Sequence, residues 1–306
     1  MIANQIALIK RELWEHRSIY ITPATVAIIM SLAIIAFIVG ISTFNKEIDV
    51  AIFSASNLAG DAERRAVLTG FFVGTSWIFV ITLSILTVFY CLDSLYAERK
   101  DRSILFWRSL PVTDSETVVS KLITAAVVLP LIFTVAVVLT NLVNLILLSI
   151  WVAIRGGDFI HLIWGSVAMI DNWFAAGVVL VASGIWMSPF IGWFLFISTF
   201  AKRMPFLMAF LPPIVLGFLE YLLFKTTYFA QAVGGRGDLR PLFHNMDVEH
   251  FFDEERLKVN EEAISLLKHV DIAGFLMSPS LWTGVVVCGV FVAAAIYVRR
   301  YRDESQ

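Results

Sequence analysis

The sequence predicts an all-α integral membrane protein with six membrane-spanning helices and both ends of the chain in the cytoplasm. Two observations carry this prediction. Of the 306 residues, 58% are hydrophobic and only 16% are charged, and the mean hydropathy is +0.81. A soluble domain does not need that much apolar surface, so we expect the excess to face lipid. In addition, several apolar runs reach about 20 residues, which is the length that crosses a hydrocarbon core roughly 30 Å thick.

The first residues form an amphipathic pattern. Ile2, Ile6, Ile9 and Leu13 recur at helical spacing, and polar or charged residues lie between them. A helix of this kind buries its apolar face at a membrane surface. We therefore expect an interfacial helix ahead of the first span, on the cytoplasmic side. An ordinary flanking helix is the alternative.

Six apolar runs follow, and we treat residues 1–306 as a single transmembrane domain. The third run is longer than a bilayer needs, so this helix is expected to tilt or to project from the membrane. Prolines inside the runs mark kinks or breaks, at Pro130, Pro189, Pro212 and Pro213. The predicted spans are approximately residues 19–41, 71–92, 122–154, 174–201, 205–224 and 281–298.

The distribution of lysine and arginine sets the predicted orientation. If the N-terminus is cytoplasmic, the inner segments carry their basic residues close to the span ends, as at Arg99 and Lys100. The outer segments are longer and mix basic residues with many acidic ones. Short basic segments mark the cytoplasmic side. The largest loop, 225–278, is then extracytoplasmic, and we expect a helical segment within it over 247–270.

The inner segment between the second and third spans, residues 93–121, has the most informative pattern. One helical face continues from Leu92 to Arg99, so the second span is expected to extend out of the membrane as a helix. Pro111 ends that helix, because proline disfavours helical backbone at the residue before it. Thr113 and Glu116 then match a capping box in front of the third span. We expect a compact helical elbow that moves as one body. A solvated turn held by salt bridges is the alternative.

This segment also resembles a known one. The pattern Glu98-Arg99-x-x-Arg102-Ser-x-Leu-Phe-Trp-Arg108-Ser109-Leu110-Pro111-x-x-Asp114, with Lys121 entering the next span, resembles the first inner loop of permease subunits of type-2 ATP-binding-cassette (ABC) transporters. The opening Lys10-Arg11-Glu12-Leu13-Trp14 through Arg17 is similar to the amphipathic start of the same family. Six spans with both ends inside also match that family.

The resemblance implies a permease subunit in a bacterial cytoplasmic membrane. It would pair with a second permease subunit, identical or different, and each would rest on a separate ATPase subunit that binds ATP and Mg. The inner loop would dock into a cleft of that ATPase, with Leu110 and Pro111 at its tip. Carried over onto this chain, the coupling residues are Glu98, Arg99, Arg102, Phe106, Trp107, Arg108, Ser109, Leu110, Pro111 and Asp114.

The chain itself has no sequence signature of an enzyme. A phosphate-binding loop of the form Gly-x-x-x-x-Gly-Lys-Ser/Thr does not occur, so ATP hydrolysis is expected from another polypeptide. The five histidines are scattered, and neither a metal nor a cofactor is expected in this chain. The net charge of −2 gives no reason to expect nucleic acid as a partner.

Three polar residues inside the spans are candidates for a transport pathway. Glu220 is the one acid inside a predicted span, and a charge in lipid is expensive. It would serve a substrate or proton path, or else be an interfacial carboxylate near Lys225. Asn141 and Asn144 lie near one face of the third span, where interhelical hydrogen bonding is the alternative to a pathway role.

We expect this permease to export an amphiphilic, peptide or drug-like substrate, because nothing in the sequence indicates a docking loop for a substrate-binding protein. Two other functions stay open. One is an ABC-like membrane subunit that passes ATPase strokes to extracytoplasmic proteins without transport. The other is a stand-alone secondary transporter, which would need several buried charges or ion sites within its spans.

Overall fold

The computed structural model describes residues 2–44, 46–58, 60–101, 112–165, 169–237, 242–243, 267 and 270–301. This part of the chain is 91% helical and contains no strand. Six of its helices are long and apolar enough to cross a membrane. The prediction of an all-α fold with six such helices is therefore confirmed, and the protein is of the multi-pass membrane class.

The helices differ in length, and several exceed the predicted spans. In chain order they are α1 Ile2–Glu15, α2 Ser18–Phe44, α3 Lys46–Leu58, α4 Asp61–Lys100, α5 Asp114–Ile154, α6 Met169–Trp186, α7 Ser188–Phe200, α8 Pro205–Phe224, α9 Tyr228–Gly234, α10 Ile272–Met277 and α11 Pro279–Tyr301. The candidate spans are α2, Val67–Lys100 within α4, α5, α6, α8 and α11.

The predicted fourth span, residues 174–201, contains two helices in the structure. Helix α6 ends at Trp186 and α7 begins at Ser188. Pro189 lies in the first turn of α7, where its missing N–H is harmless, whereas inside a continuous helix its ring would clash with the preceding turn. The break that this proline predicts is thus confirmed. The α7 segment is shorter than the six candidate spans.

The capping box predicted in front of the third span is confirmed. The backbone N–H of Glu116 donates to Thr113 Oγ1 at 3.2 Å, and the backbone N–H of Thr113 donates to the Glu116 carboxylate at 3.0 Å. From this cap α5 continues to Ile154, interrupted only by a π-helical turn, Thr124–Val128, just before Pro130. Because proline has no N–H to donate, the regular ladder is disturbed there.

Helix α5 packs closely against α6, which runs antiparallel to it. A Cβ atom added at Gly177 would meet the side chain of Thr134, and one at Gly184 would overlap the carbonyl group of Ala126. Small residues at such contacts let helix backbones approach, which is a common device in membrane proteins. In the same way, a Cβ at Gly192 of α7 would lie 3.0 Å from the Cα of Cys288 in α11.

Two spans are barely covered by the rest of the chain. No residue in the most apolar stretch of α2 is buried, and almost none in that of α8 is. Helix α8 is continuous through Pro212 and Pro213. Since both helices are apolar on all sides, their exposed side chains suit contact with lipid.

The loop 225–278 is described only in part. Its helices α9 and α10 are described, and an isolated antiparallel bridge joins Phe243 to Val270. Leu242 and Phe275 are buried against Trp186 at the end of α6. The helix predicted over 247–270 falls outside the described residues, apart from its last positions.

Candidate functional site

Four helix ends meet at one end of the bundle and bring six charged residues together. These are the C-terminal end of α1, the last turn of α4, the first turns of α5 and the last turn of α11. We call the six residues the charge cluster; they are Arg11, Glu12, Glu98, Asp114, Lys121 and Arg299. Three are positive and three are negative, so the charge cluster is formally neutral.

Lys121 and Glu12 form the most deeply buried pair of the charge cluster. Both are 0% exposed, and the distance from Lys121 Nζ to Glu12 Oε1 is 2.8 Å. The hydroxyl of Tyr90 donates to the other carboxylate oxygen of Glu12 at 2.9 Å. An ammonium group without water must be paired and hydrogen-bonded, and this arrangement provides both.

Glu98, at the end of α4, is the hub of the charge cluster. One of its carboxylate oxygens accepts from Arg11 at 2.7 Å and lies 3.1 Å from Lys121 Nζ. The other oxygen accepts from Arg299 at 2.8 Å. A carboxylate that binds three cations is strongly held in its ionised form. Its carbon skeleton is buried too, since Glu98 is only 5% exposed.

Arg299 connects the last span to two parts of the segment between α4 and α5. Its guanidinium donates from NH1 to Glu98, which precedes residues 101–113, and from Nε to Asp114 Oδ1 at 2.8 Å, which follows them. The planar guanidinium can reach two carboxylates at once, which an ammonium group cannot do with the same geometry. Helix α11 is therefore fastened to the two flanks of residues 101–113.

The end of α1 extends the polar contacts beyond the charge cluster. The imidazole of His16 packs edge-on against Tyr90, with ring centroids 5.1 Å apart, and burial lowers its pKa. Burial also raises the pKa of Glu15, although the nearby Arg11 guanidinium opposes that shift. At neutral pH the His16 ring is therefore uncharged, and the pairs within the charge cluster are not disturbed by an additional cation.

A second set of bonds fixes the end of α4 to the end of α7. Ser198 Oγ accepts the backbone N–H groups of Leu95 and Tyr96 at 3.1 and 2.9 Å, and it donates to the carbonyl of Leu92 at 2.9 Å. Arg99 donates to the backbone carbonyls of Ser198 and Ala201, each at 2.8 Å. The last turns of α4 are thus held on two sides.

The structure describes only some of the residues that the resemblance assigns to ATPase contact. Glu98, Arg99 and Asp114 are described, and all three bind other parts of this chain. Their assignment to an ATPase contact stays a prediction. The remaining assigned residues lie outside the described part of the chain; they are Arg102, Phe106, Trp107, Arg108, Ser109, Leu110 and Pro111.

Glu220 binds the chain that follows its own helix. Its carboxylate accepts from the Thr226 hydroxyl at 2.9 Å and from the backbone N–H groups of Tyr228 and Phe229 at 2.8 and 2.9 Å. It thereby caps α9 and folds it back on α8. Lys225, which has a φ of 53°, makes the reversal, and its amine lies over the Tyr221 ring. A path role for Glu220 stays a prediction.

Asn141 and Asn144 both join helices. The hydroxyl of Thr75 in α4 lies 3.1 Å from Asn141 Oδ1, and that of Ser31 in α2 donates to Asn144 Oδ1 at 3.1 Å. Interhelical hydrogen bonding, one of the two interpretations of these residues, is therefore confirmed. Their role in a pathway is a separate question.

The sequence did not predict that the six residues of the charge cluster lie together. The apolar stripe of α1 was expected to face the membrane surface, and the burial of Leu8 and Glu12 against the rest of the chain was not foreseen. A signal was present in Lys121, a lone lysine that directly precedes a long apolar run. A charge in that position needs a partner of the opposite sign, but the sequence does not say which one.

The carboxylates of Glu12, Glu15 and Glu98 lie close enough together to hold a metal ion, with ligand atoms within 4.8 Å of one another. Arg11 and Lys121 already occupy the positions next to these oxygens. The arrangement thus neutralises its carboxylates with side chains of the same chain.

The fold and the charge cluster define a multi-pass all-α membrane protein whose helix ends are joined by buried ion pairs. Comparison of the chain with protein-family models, curated proteins and solved structures gave no match. The functional argument therefore depends on the residues themselves.

Proposed function

We propose that this chain is the permease subunit of a type-2 ABC exporter in a bacterial cytoplasmic membrane. It works with a second permease subunit and with separate ATPase subunits, and it moves an amphiphilic, peptide or drug-like substrate. The observation that carries the proposal is the charge cluster at the base of the inner segment. It joins both flanks of that segment to α1 and to α11.

The charge cluster gives the inner segment a mechanical connection to the spans. Unpairing one member of a buried ion pair costs about 3–5 kcal/mol, whereas moving the whole charge cluster as a body leaves every pair intact. A push on residues 101–113 is therefore passed to α4, α5, α11 and α1 together. Such a rigid connection is what a permease needs when a separate ATPase supplies the force.

The spans that line the transport path are expected to be the first, second and fifth. The first and fifth, α2 and α8, have the least buried apolar stretches among the six candidate spans. This exposure supports the proposal, because these helices keep their surfaces available for the second permease subunit or for substrate.

The decisive experiment is reconstitution with and without a nucleotide-hydrolysing partner. The chain is co-expressed with a candidate ATPase subunit, purified and placed in liposomes, and ATP-dependent export of fluorescent amphiphiles is measured. Replacing Leu110 and Pro111 with Gly and Ala should abolish transport while the complex remains assembled. Full transport activity of the chain without any ATPase would reject the proposal.

A stand-alone secondary transporter is the second candidate, and a specific observation favours it. Such a carrier needs buried charges, and the structure holds Glu12, Glu98 and Lys121 away from solvent. In that case a proton gradient alone would drive transport, and Glu12→Gln would abolish it. An ABC permease would instead show transport that depends on ATP and is insensitive to a protonophore.

A further inference from the structure

A polar contact lies at the middle of the first span. Ser31 is the central residue of α2, Ser18–Phe44, and no charged residue occurs between Arg17 and Lys46. A helix of this length places its central residue near the middle of a bilayer. There Ser31 Oγ donates to Asn144 Oδ1 of α5 at 3.1 Å.

The Asn144 carboxamide is fully buried but only partly hydrogen-bonded. Asn144 is 0% exposed, and its amide nitrogen has no hydrogen-bond partner. That nitrogen carries two N–H donors. Buried polar groups in proteins are almost always satisfied, so the two donors of this nitrogen are available to acceptor atoms of a bound molecule. The need is greatest inside a membrane, where bulk water cannot supply them.

Asn141, one helical turn earlier, is also under-satisfied. The single hydroxyl proton of Thr75 is shared between two acceptors, the carbonyl of Phe72 at 2.9 Å and Asn141 Oδ1 at 3.1 Å. Thr140 behaves differently, because its hydroxyl donates to the Ala136 carbonyl of its own helix at 2.7 Å. The two asparagines thus form a polar patch with open hydrogen-bonding capacity, and Thr140 is a neighbour without a free donor.

The patch is adjacent to an apolar surface. Ser31 is half-buried, and the α2 residues Ile28, Ile29 and Leu32 around it are exposed. A molecule that reaches Asn144 past α2 would therefore lie with its apolar part along these side chains. Donors at the centre and hydrocarbon beside them match an amphiphile whose head group offers acceptor oxygens, such as a phosphate ester or a carboxylate.

We propose that Asn144, assisted by Asn141, forms a mid-membrane binding site for the head group of such an amphiphile. The N–H donors of Asn144 bind its acceptor oxygens, and displacement of α2 with loss of the Ser31–Asn144 hydrogen bond admits it. This site deepens the proposed function, since it would contact the exported amphiphile, but its test needs neither ATP nor an ATPase, so failure of one is distinguishable from failure of the other.

The test uses the purified full-length protein in phosphatidylcholine vesicles that contain phosphatidylglycerol with a photoreactive diazirine on its head group. After illumination, mass spectrometry locates the adducts. A head group normally lies at the membrane surface, so adducts at residues 141–148 of α5 or 27–34 of α2 report a mid-membrane site. We expect such adducts in the unchanged protein.

Variants separate binding from packing. Asn144→Leu conserves volume and removes the donors, so we expect about a fivefold lower yield of mid-membrane adducts, which corresponds to loss of about one hydrogen bond. Asn144→Ser, which keeps one donor, should give an intermediate yield. Thr140→Val should retain the full yield, because it removes no donor of the patch. Ser31→Ala should give at least the full yield, because it removes the hydrogen bond that binding must break.

Three results would overturn the site. The first is labelling of the unchanged protein only at the helix ends. The second is a yield in Asn144→Leu, folded by circular dichroism, that equals that of the unchanged protein. The third is an equal loss in Ser31→Ala and Asn144→Leu, which would mean that the contact serves packing alone.

Discussion

Lys121 and Glu12 are both fully buried and lie 2.8 Å apart, although 109 positions separate them in the chain. This pair holds α1 against the start of α5. Together with Glu98, which contacts Lys121 at 3.1 Å, it makes the two flanks of the inner segment and the N-terminal helix one body. The stability and the proposed coupling of the protein both depend on it.

Removing the lysine should strongly destabilise the fold. Lys121→Met removes the ammonium group that the two buried carboxylates of Glu12 and Glu98 share, and breaking a buried ion pair costs about 3–5 kcal/mol. We expect a clearly lower thermal midpoint for the detergent-purified variant, measured by circular dichroism. Lys202→Met, which changes an exposed lysine, is the matched control and should stay within about 0.5 kcal/mol of the unchanged protein. Equal midpoints for the two variants would mean that the buried pair contributes nothing.

Arg299 and its neighbour Arg300 should behave differently. Arg299 bridges Glu98 and Asp114, whereas Arg300 is exposed. Arg299→Lys keeps the charge but cannot hold both carboxylates in the same geometry. In a complex with the ATPase, we expect Arg299→Lys to reduce substrate-stimulated ATP hydrolysis severalfold with little change in thermal midpoint, and Arg300→Lys to have no effect.

If both arginine variants lose stimulation equally, positive charge at this end of the helix is what matters, and the bridge is not the coupling element. Unchanged stimulation in Arg299→Lys would contradict the mechanical connection directly.

The stability of the protein should be sensitive to loss of the hydroxyl oxygen of Ser198. Ser198→Ala removes three hydrogen bonds to the backbone of α4 inside the protein, and each such bond contributes about 0.5–1.5 kcal/mol. Ser84→Ala is the control, because Ser84 is exposed and donates only to the Val80 carbonyl of its own helix. Chemical unfolding of the two variants should differ by at least 1 kcal/mol. A difference near zero would refute the role of Ser198.

The contact between α5 and α6 requires glycine at position 184. Gly184→Ala would place a methyl group against the Ala126 carbonyl, so we expect a loss of about 1–3 kcal/mol from the forced separation of the two helices. Gly74→Ala, at a position with no atom near the added methyl group, should be neutral or slightly stabilising since alanine favours helix. Equal stability of both variants would show that the helices separate without strain.

Acidification should lower the free energy of unfolding through protonation of His16. Burial lowers the pKa of this side chain below its ordinary value of 6.5. Below pH 6.5 the unfolded chain therefore binds a proton that the folded chain resists, and stability falls as pH decreases until the folded pKa is passed. Glu15 has the opposite effect. Its pKa is raised above the ordinary value of 4.5, so in the pH range just above 4.5 the folded chain binds a proton more readily than the unfolded chain, and stability increases as the pH falls through that range.

The variant His16→Asn tests this directly. Its thermal midpoint, compared with that of the unchanged protein between pH 7 and pH 5.5, should fall less on acidification. A parallel fall in both proteins would mean that the His16 proton is not linked to folding.

Much of the helical framework was predictable because its causes are local. A stretch of about 20 apolar residues must enter lipid wherever it lies in the chain. The Thr113–Glu116 cap and the break at Pro189 likewise follow from groups only a few residues apart. Residues 174–201 were predicted as one span and form two helices, because hydropathy alone does not register a proline that divides a continuous apolar run.

The candidate site was predictable only in part. The sequence identified Glu98 and Asp114 as important charges, but it assigned them to a partner protein. It placed Glu12 among the polar residues of a surface helix. The partners Lys121 and Arg299 lie 23 and 201 positions from Glu98, and nothing in a one-dimensional pattern pairs them.

The amino-acid sequence by itself determined that this protein is a bundle of apolar helices, because hydrophobic length acts within each segment independently. Only the tertiary structure decided which charges neutralise one another. That choice depends on which helix ends meet, since an ion pair forms between any opposite charges that packing brings within reach. It is also why Asn144, an ordinary polar residue in the sequence, becomes a buried amide with an unpaired nitrogen in the fold.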